Sequence, residues 1–247
     1  MKISEQTVAI VTGGGTGIGR AASVLLSRHG ATVAVNYSRS RLEAEATVQQ
    51  IRDTGGRAFA VQADIADDQA VRQMVAGIER EHGPITALVN NAGITRHIPL
   101  QDLDAVDDDA WDTLYNVNVK GMFYCARAVS KGMRQAGHGA IVNLGSIAGM
   151  TGSGSSVPYA ASKAGVHGLT RSLAHALSPH IRVNAIVPGA VSTRWWAGNE
   201  ARMEQLGGQL LLQRISSPED IAHMIVAALE QPSMTGQLIT VDAGQTL

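Results

Sequence analysis

Short apolar segments alternate with longer stretches of helical periodicity along almost the whole chain, and this alternation limits the possible folds more than any other feature. The apolar segments are rich in Val, Ile and Ala. Apolar and polar residues do not alternate in them, as expected for strands covered by helices on both faces. Such strands in β-α-β-α order predict a parallel sheet. We predict strands at Val8–Val11, Thr32–Val35, Ala58–Val61, Ala87–Val89, Ala140–Leu144, Arg182–Ile186 and Leu238–Val241.

Helical periodicity fills the intervals between the predicted strands. No Pro- or Ser-rich linker, charge block or repeat interrupts the series. We therefore expect residues 1–247 to form a single α/β domain, with a doubly wound, parallel, seven-stranded sheet of the Rossmann type. Helices are predicted at Ile18–His29, Arg41–Thr54, Asp68–Glu81, Asp109–Gln135, Pro158–Leu177 and Pro218–Glu230.

Composition excludes several classes of protein. The 45% hydrophobic and 17% charged residues are ordinary for a globular enzyme, and a net charge of −1 gives no electrostatic reason to expect nucleic acid or an anionic membrane. The one cysteine, Cys125, fits a reducing compartment and is expected to be buried and inert. No apolar run approaches the roughly 20 residues of a membrane span, and the start is too polar for a signal peptide. We expect a soluble cytoplasmic protein.

The first predicted strand runs into a glycine-rich segment, Thr12–Gly19, which reads Thr-Gly-Gly-Gly-Thr-Gly-Ile-Gly. Glycines let the backbone approach a pyrophosphate closely, and the free N–H groups of the following helix attract its charge. The Gly-Lys-Ser/Thr of nucleoside-triphosphate loops is absent, because Arg20 and Ala21 follow Gly19. The strand–loop–helix context therefore predicts a dinucleotide site.

A series of motifs resembles the short-chain dehydrogenase/reductase family over nearly the whole chain. The glycine spacing is the first, and Asn90–Gly93 matches the family's Asn-Asn-Ala-Gly after the fourth strand. Tyr159–Lys163 matches its Tyr-x-x-x-Lys, and Ser146 precedes the tyrosine by the usual interval. Asn118 and Pro188–Gly189 match the family asparagine and the Pro-Gly that ends the sixth strand. The chain is similar overall to bacterial 3-oxoacyl-acyl-carrier-protein reductases.

The resemblance implies an oxidoreductase that transfers a hydride between NADP(H) and a carbonyl or secondary alcohol. It implies Asn118, Ser146, Tyr159 and Lys163 as the catalytic residues, with Asn118 holding a water near Lys163 and Lys163 binding the nicotinamide ribose. The cofactor-binding residues that we expect are Gly13, Gly15, Thr16, Gly17, Ile18, Gly19, Tyr37, Ser38, Arg39, Asp64, Ile65, Asn91, Ala92, Gly93, Tyr159, Lys163, Pro188, Gly189, Val191 and Thr193.

Tyr159 and Lys163 have a physical reason to act together. A phenol titrates near pH 10, and a nearby cation favours phenolate and lowers that pKa. Residues four apart on a helix share one face, so we expect Lys163 to tune Tyr159 as general acid in reduction and base in oxidation. Ser146, at the carboxyl end of the fifth strand, could hydrogen-bond both the substrate oxygen and the tyrosine hydroxyl.

The end of the second strand bears on the choice of cofactor. An NAD site usually has an acid there, and in the family's register that position falls on Tyr37. Without the acid a 2′-phosphate meets no repulsion, and Ser38 and Arg39 can donate to it. We therefore expect NADP(H), with NAD(H) possible; Thr16 stands where many NADP-dependent relatives carry a second basic residue.

A substrate lid is expected at about residues 190–215, where Trp195 and Trp196 could line the substrate pocket or pack the lid on the body or a partner subunit. We assign no metal, because the histidines form no ligand cluster; His167 and His175 are predicted to lie at a helix surface or interface. Alternatives are an NAD-dependent alcohol or sugar dehydrogenase of the same fold, a non-catalytic dinucleotide-binding regulator, and a structural oligomer subunit.

Two long helices carry apolar residues on more than one face. In the family these helices pair with their counterparts across a two-fold axis, and the last strand makes a second contact. We therefore predict a homotetramer, unless internal packing accounts for the excess apolar surface. The apolar residues concerned are Met122, Phe123, Val129, Met133, Val166, Leu169, Leu173 and Leu177.

Overall fold

All seven predicted strands pair in one parallel sheet in the computed structural model, which describes residues 1–247. The strand order is β3-β2-β1-β4-β5-β6-β7, so the direction of winding reverses between β1 and β4. This confirms the doubly wound α/β class, in which ligands bind at the carboxyl ends of the strands beside the reversal. The strands are β1 Val8–Val11, β2 Thr32–Tyr37, β3 Arg57–Gln62, β4 Ile85–Asn90, β5 Gly139–Leu144, β6 Ile181–Pro188 and β7 Leu238–Val241.

Helices cover both faces of the sheet, and five of them lie within a few residues of the predicted bounds. The structure adds one short helix after β5, a 3₁₀ turn at Arg194–Trp196, and a helix inside the expected lid. The helices are α1 Gly17–Arg28, α2 Arg41–Asp53, α3 Asp68–His82, α4 Asp108–Tyr115, α5 Met122–Gln135, α6 Ala148–Thr151, α7 Val157–Leu177, α8 Glu200–Gln209 and α9 Pro218–Glu230.

The predicted single helix Asp109–Gln135 is divided. A π-helical segment, Asn116–Gly121, separates α4 from α5. Gly121 lies against Ile65, since a methyl group on it would come within 2.9 Å of that side chain. Periodicity does not reveal such a segment, because the chain stays helical on both sides of it. A π turn re-aims the side chains it contains and is frequent at functional sites, and this one contains Asn118.

Two apolar layers explain why the strands lack alternation. Along β1, Ala9 and Val11 belong to the layer under α1, α2 and α9, whereas Val8 and Ile10 belong to the layer under α3, α5 and α7. Every residue of β1, β4 and β5 is buried. Each buried Val, Leu or Ile contributes about 1.5–3 kcal/mol, so both layers stabilise the central strands.

Internal packing accounts for most of the apolar residues that we considered for subunit contacts. Phe123 stays partly exposed, and Leu169 is half-buried. The other six are buried within the chain itself: Met122, Val129, Met133, Val166, Leu173 and Leu177.

Cys125 is buried, as predicted, and burial raises the pKa of its thiol to about 12. The thiolate is the reactive form of cysteine, so this group is inert. No helix has both the length and the apolar character that a membrane crossing would require.

Candidate active site

A cavity of about 1010 Å³ opens at the carboxyl ends of the strands. It brings together almost all the residues that the sequence motifs indicated; Gly19 and Asn118 lie behind its wall. The indicated residues that line it are Gly13, Gly15, Thr16, Gly17, Ile18, Tyr37, Ser38, Arg39, Asp64, Ile65, Asn91, Ala92, Gly93, Ser146, Tyr159, Lys163, Pro188, Gly189, Val191, Thr193, Trp195 and Trp196.

The glycine loop between β1 and α1 leaves the start of the helix open. No side chain caps α1, and no acidic residue lies in its first turn, so the positive end of the helix dipole can attract an anion. Gly13 adopts a left-handed φ of 61°. A side chain on Gly19 would collide with the carbonyl oxygen of Gly13, which explains why glycine is needed behind the wall of the cavity.

Thr12 and Asn91 lock the glycine loop to the loop after β4. The Thr12 hydroxyl accepts hydrogen bonds from the backbone N–H groups of Asn91 and Ala92, both at 3.0 Å. In return, the Asn91 side chain donates to the carbonyl of Thr12 at 2.9 Å. The sequence analysis did not assign Thr12 to the site; its place directly before the glycines was the available signal.

The start of α7 places Tyr159 and Lys163 at the floor of the cavity. The Ser156 hydroxyl caps the helix by accepting from the N–H of Tyr159 at 3.3 Å, and Pro158 occupies the first turn. Lys163 follows one turn later and donates from Nζ to the carbonyl of Leu144 at 2.9 Å. Its Nζ lies 5.9 Å from the centroid of the Tyr159 ring. Tyr159 is 8% exposed and Lys163 4%.

Burial dominates the titration of this pair. It raises the pKa of Tyr159 to about 12, although a hydrogen bond with Ser146 acts in the opposite direction. It lowers the pKa of Lys163 to about 8. The sequence predicts that Lys163 lowers the tyrosine pKa; in this structure the loss of hydration raises that pKa instead, and the ammonium lies beside the ring and donates to a carbonyl.

The loop that carries Ser146 packs directly on α7. A methyl group on Gly145 would come within 2.7 Å of His167 Nε2, and one on Gly149 within 2.8 Å of the same ring. His167 is therefore buried, and its prediction as a surface or interface residue was wrong, whereas His175 is exposed. Burial, then the charges of Lys163 and Arg171, lower the pKa of His167. A neutral imidazole thus supports the Ser146 loop.

Asn118 acts behind the cavity through its side-chain amide. Its Oδ1 accepts from the N–H of Ile94 at 2.9 Å, and its Nδ2 donates to the Ile94 carbonyl and to the Ser162 hydroxyl, both at 3.0 Å. Ser162 is a second residue that the sequence analysis missed. These bonds join the loop after β4 to α7. The Asn118 side chain thus positions Ile94, the residue that directly follows the Asn-Asn-Ala-Gly motif.

The far end of the cavity lies beyond β2. Tyr37 ends that strand, and Ser38 and Arg39 follow it on the exposed rim. Arg39 forms no ion pair, whereas Arg41 is held by Glu45 at 2.7 Å. Asp64 is the one carboxylate in the lining of the cavity. The rim therefore has an unengaged cation and no acid at the end of β2.

The tryptophans of the expected lid differ in their surroundings. The ring of Trp195 stands nearly perpendicular to Tyr159, with centroids 6.3 Å apart and an interplanar angle of 68°. It is 50% exposed, while Trp196 is half-buried. Thr193 begins this turn by accepting from the N–H of Trp195 at 3.4 Å. Trp195 thus borders the floor of the cavity from the side of the lid.

Comparison with known proteins agrees with this geometry. Residues 7–204 match the model of the short chain dehydrogenase family. The chain is 39% identical over 248 residues to the 3-oxoacyl-[acyl-carrier-protein] reductase FabG of Staphylococcus aureus (strain Mu50), with 99% of each chain covered. It is 62% identical over 129 residues to the short-chain dehydrogenase/reductase homolog YusR of Bacillus subtilis (strain 168), which covers 52% of this chain and all of that protein.

Solved structures extend the likeness to three dimensions. A gluconate 5-dehydrogenase from Burkholderia cenocepacia J2315, in complex with NADP and tartrate, is 31% identical with a TM-score of 0.88; the match covers 97% of this chain and 95% of that one. A chain from Burkholderia xenovorans that is assigned to the short-chain dehydrogenases/reductases is 34% identical, with a TM-score of 0.91 and 97% of each chain covered.

Proposed function

The chain belongs to the short-chain dehydrogenase/reductase family, and on that premise we propose that it reduces a carbonyl with NADPH, or the reverse, with Tyr159 as general acid and base. One observation carries this proposal: the Tyr159 hydroxyl is held at the cavity floor beside Ser146, one helical turn from a buried Lys163. A tyrosine with only a packing role would not need a lysine buried at this cost.

The residues of the cavity fit a dinucleotide. The open start of α1 suits a pyrophosphate, and Asp64 and Ile65 suit the adenine at the β3 end. Residues Asn91–Gly93 and Pro188–Thr193 would hold the nicotinamide half near Lys163. When bound, the dinucleotide would supply or accept the hydride, and Tyr159 would supply or accept the proton that balances it.

The protonation states favour proton donation. A phenol with a pKa of about 12 is fully protonated at neutral pH. It is nevertheless a far stronger acid than the alcohol that forms when the substrate carbonyl is reduced. In reduction, Tyr159 would give its proton to the substrate oxygen as negative charge develops there, while Ser146 donates a hydrogen bond to the same oxygen. The phenolate left behind is then stabilised by the positive charge of Lys163. In oxidation the same steps run backwards.

NADP(H) is the cofactor that we propose, because Arg39 has no ion-pair partner and no acid follows β2. The NADP-bound gluconate 5-dehydrogenase relative supports this choice. Replacing Arg39 by Ala should weaken NADPH binding by roughly 1–3 kcal/mol and leave NADH binding nearly unchanged. Fluorescence titrations with both cofactors test this, and Arg41→Ala is the matched control because Glu45 already holds that side chain. Equal losses for both cofactors would show that Arg39 does not contact the 2′-phosphate.

A ketoreductase resembling the 3-oxoacyl-acyl-carrier-protein reductases is the activity that the full-length FabG match favours. The gluconate 5-dehydrogenase relative favours the second candidate, a sugar or alcohol dehydrogenase. Cofactor absorbance, followed with 3-oxoacyl thioesters, simple ketones and sugar acids, separates the two. Turnover of none of these substrates, with both cofactors tried, would favour a non-catalytic dinucleotide-binding protein.

We also propose a homotetramer with two-fold symmetries. Internal packing removes most of the apolar surface that first suggested it, so the proposal now relies on the partly exposed Trp111 and Phe123 and on Leu247, which is 96% exposed. Light scattering in dilute buffer tests it. A mass of one subunit would refute the assembly, and a mass of two would leave only the helix contact.

A further inference from the structure

An arginine of the lid segment, residues 190–215, reaches the opposite wall of the cavity. Arg194 opens the 3₁₀ turn after Thr193, and its side chain is more than half exposed. Its Nη1 lies 4.0 Å from Oε1 of Glu43, in the first turn of α2. The Arg194–Glu43 pair thus connects the lid segment to the helix that follows β2.

Both ends of this pair rest on the glycine loop. A methyl group on Gly15 would come within 2.7 Å of the backbone nitrogen of Ala44, the neighbour of Glu43. A methyl group on Gly17 would come within 3.3 Å of the Thr193 side chain, the neighbour of Arg194. Because Gly15 and Gly17 flank a single residue, the chain neighbours of Glu43 and of Arg194 both pack on the loop where it enters α1.

The loop itself offers an anion no charged side chain. No basic residue lies between Thr12 and Gly19, and α1 has neither a capping side chain nor an acid in its first turn. Arg20, the first basic residue of α1, is turned towards α2 and donates to Gln50 at 2.8 Å. Arg194 lines the cavity, and its neighbour Thr193 packs on Gly17, so Arg194 is a cation that the fold brings to the loop from outside.

The ion pair with Glu43, at 4.0 Å, is weak enough to be exchanged. Both side chains are about half exposed, and water screens an exposed pair at this separation. A phosphate is a better partner, since it accepts two parallel N–H bonds from a guanidinium. We propose that Arg194 exchanges Glu43 for the pyrophosphate of the bound dinucleotide and so becomes the cofactor contact of the lid segment. The inference rests on the proposed function, in that it requires a dinucleotide at the glycine loop.

This role differs from that of Arg39. The pyrophosphate is common to NADPH and NADH, whereas the 2′-phosphate belongs to NADPH alone. Arg194 should therefore add affinity for both cofactors equally, and Arg39 for one. Lost charge-assisted hydrogen bonds of this kind weaken binding by about tenfold or more.

Calorimetric titration of the full chain with NADPH and with NADH provides the test. We expect Arg194→Gln to weaken both cofactors by about tenfold. Glu43→Gln should bind them at least as tightly as the wild type, because a carboxylate near the phosphates is removed. The double variant should keep the full loss caused by Arg194→Gln. Arg214→Gln, which breaks the exposed pair with Asp220 at the other end of the lid segment, should bind like the wild type.

Three results would overturn the inference. They are unchanged affinity in Arg194→Gln, a loss confined to NADPH, and a loss that disappears in the double variant, since the last would mean that uncompensated Glu43 was the cause. Circular dichroism of each variant verifies the fold, which an exposed side chain such as Arg194 should not affect. If the wild type itself binds neither dinucleotide, the proposed function fails instead, so the two failures are distinguishable.

Discussion

The floor of the cavity and the lid segment, residues 190–215, are built in opposite ways. On the floor, Tyr159 and Lys163 lie on the longest helix, are almost fully buried, and pack on the end of β5. In the lid segment, the 3₁₀ turn buries no residue and α8 buries only Gly207. The floor is thus held by the core, whereas the lid segment is held by caps, two exposed ion pairs and the bridge between Val191 and Ser216.

This contrast assigns proton transfer to the buried floor and the binding of ligands to the exposed lid segment. Groups that exchange a proton must keep their geometry to within a fraction of an ångström, which buried elements provide. Groups that admit and enclose ligands must move, and weakly packed segments allow this at small cost in free energy. The floor should therefore control the rate of the chemical step, and the lid should control affinity and substrate choice.

The largest effect is expected at the floor, from Tyr159→Phe. The ring's packing is kept but the proton donor is lost, so kcat should fall by at least about 100-fold, the usual contribution of general acid catalysis. Dinucleotide affinity should hardly change. Steady-state kinetics and a binding titration measure both quantities. Tyr124→Phe, on α5, serves as the control. Near wild-type turnover in Tyr159→Phe would remove this residue from the mechanism.

A second floor variant, Lys163→Met, should be inactive yet more stable at neutral pH. Burial lowers the folded-state pKa of Lys163 to about 8, below its value of 10.5 in the unfolded chain. Between these values the unfolded state binds more protons, so the wild type gains stability as pH rises, and below about 8 it carries the full cost of a buried charge. Denaturant unfolding of the variant should show a gain of about 2 kcal/mol at pH 7.

That gain should shrink as the pH rises from 8 towards 10.5, where the lysine is neutral in both states of the wild type. Lys120→Met is the control, because Lys120 is an exposed lysine bonded to Asn116, and it should leave stability almost unchanged. A destabilised Lys163→Met protein at pH 7 would mean that the bond to Leu144 outweighs the cost of burial.

The smallest effect is expected in the lid, from Trp195→Ala. The ring stands edge-on to Tyr159 and half exposed in the cavity lining, so we expect it to contact a bound substrate; losing an aromatic contact should cost about 0.5–1.5 kcal/mol of binding. We expect KM for bulky ketones to rise several-fold while kcat and unfolding free energy stay near their wild-type values. Leu103→Ala, an apolar residue that is 66% exposed and outside the cavity lining, is the control. A large fall in kcat with an unchanged KM would instead mean that Trp195 contributes to the chemical step.

Sequence reasoning worked best where local pattern and burial agree. The seven strands and most helices can be predicted from apolar runs and the turn residues between them, because a strand covered on both faces must be apolar along its whole length. Most residues lining the cavity were likewise recognisable, since they belong to known motifs at strand ends or at the start of α7. Periodicity could not reveal the π segment around Asn118 or the helix α6, because their hydrogen bonds depend on packing against Ile65 and α7.

The sequence by itself determined the fold class, the position of the glycine loop and the identity of the residues at the strand ends, because these depend on local order along the chain. Only the tertiary structure decided how those residues behave. It buried His167 beneath the Ser146 loop, set the pKa of Tyr159 above its ordinary value, and brought Arg194 within 4.0 Å of Glu43. These properties arise because side chains lose hydration on folding and because segments far apart in sequence come into contact. A local sequence pattern contains no information about either effect.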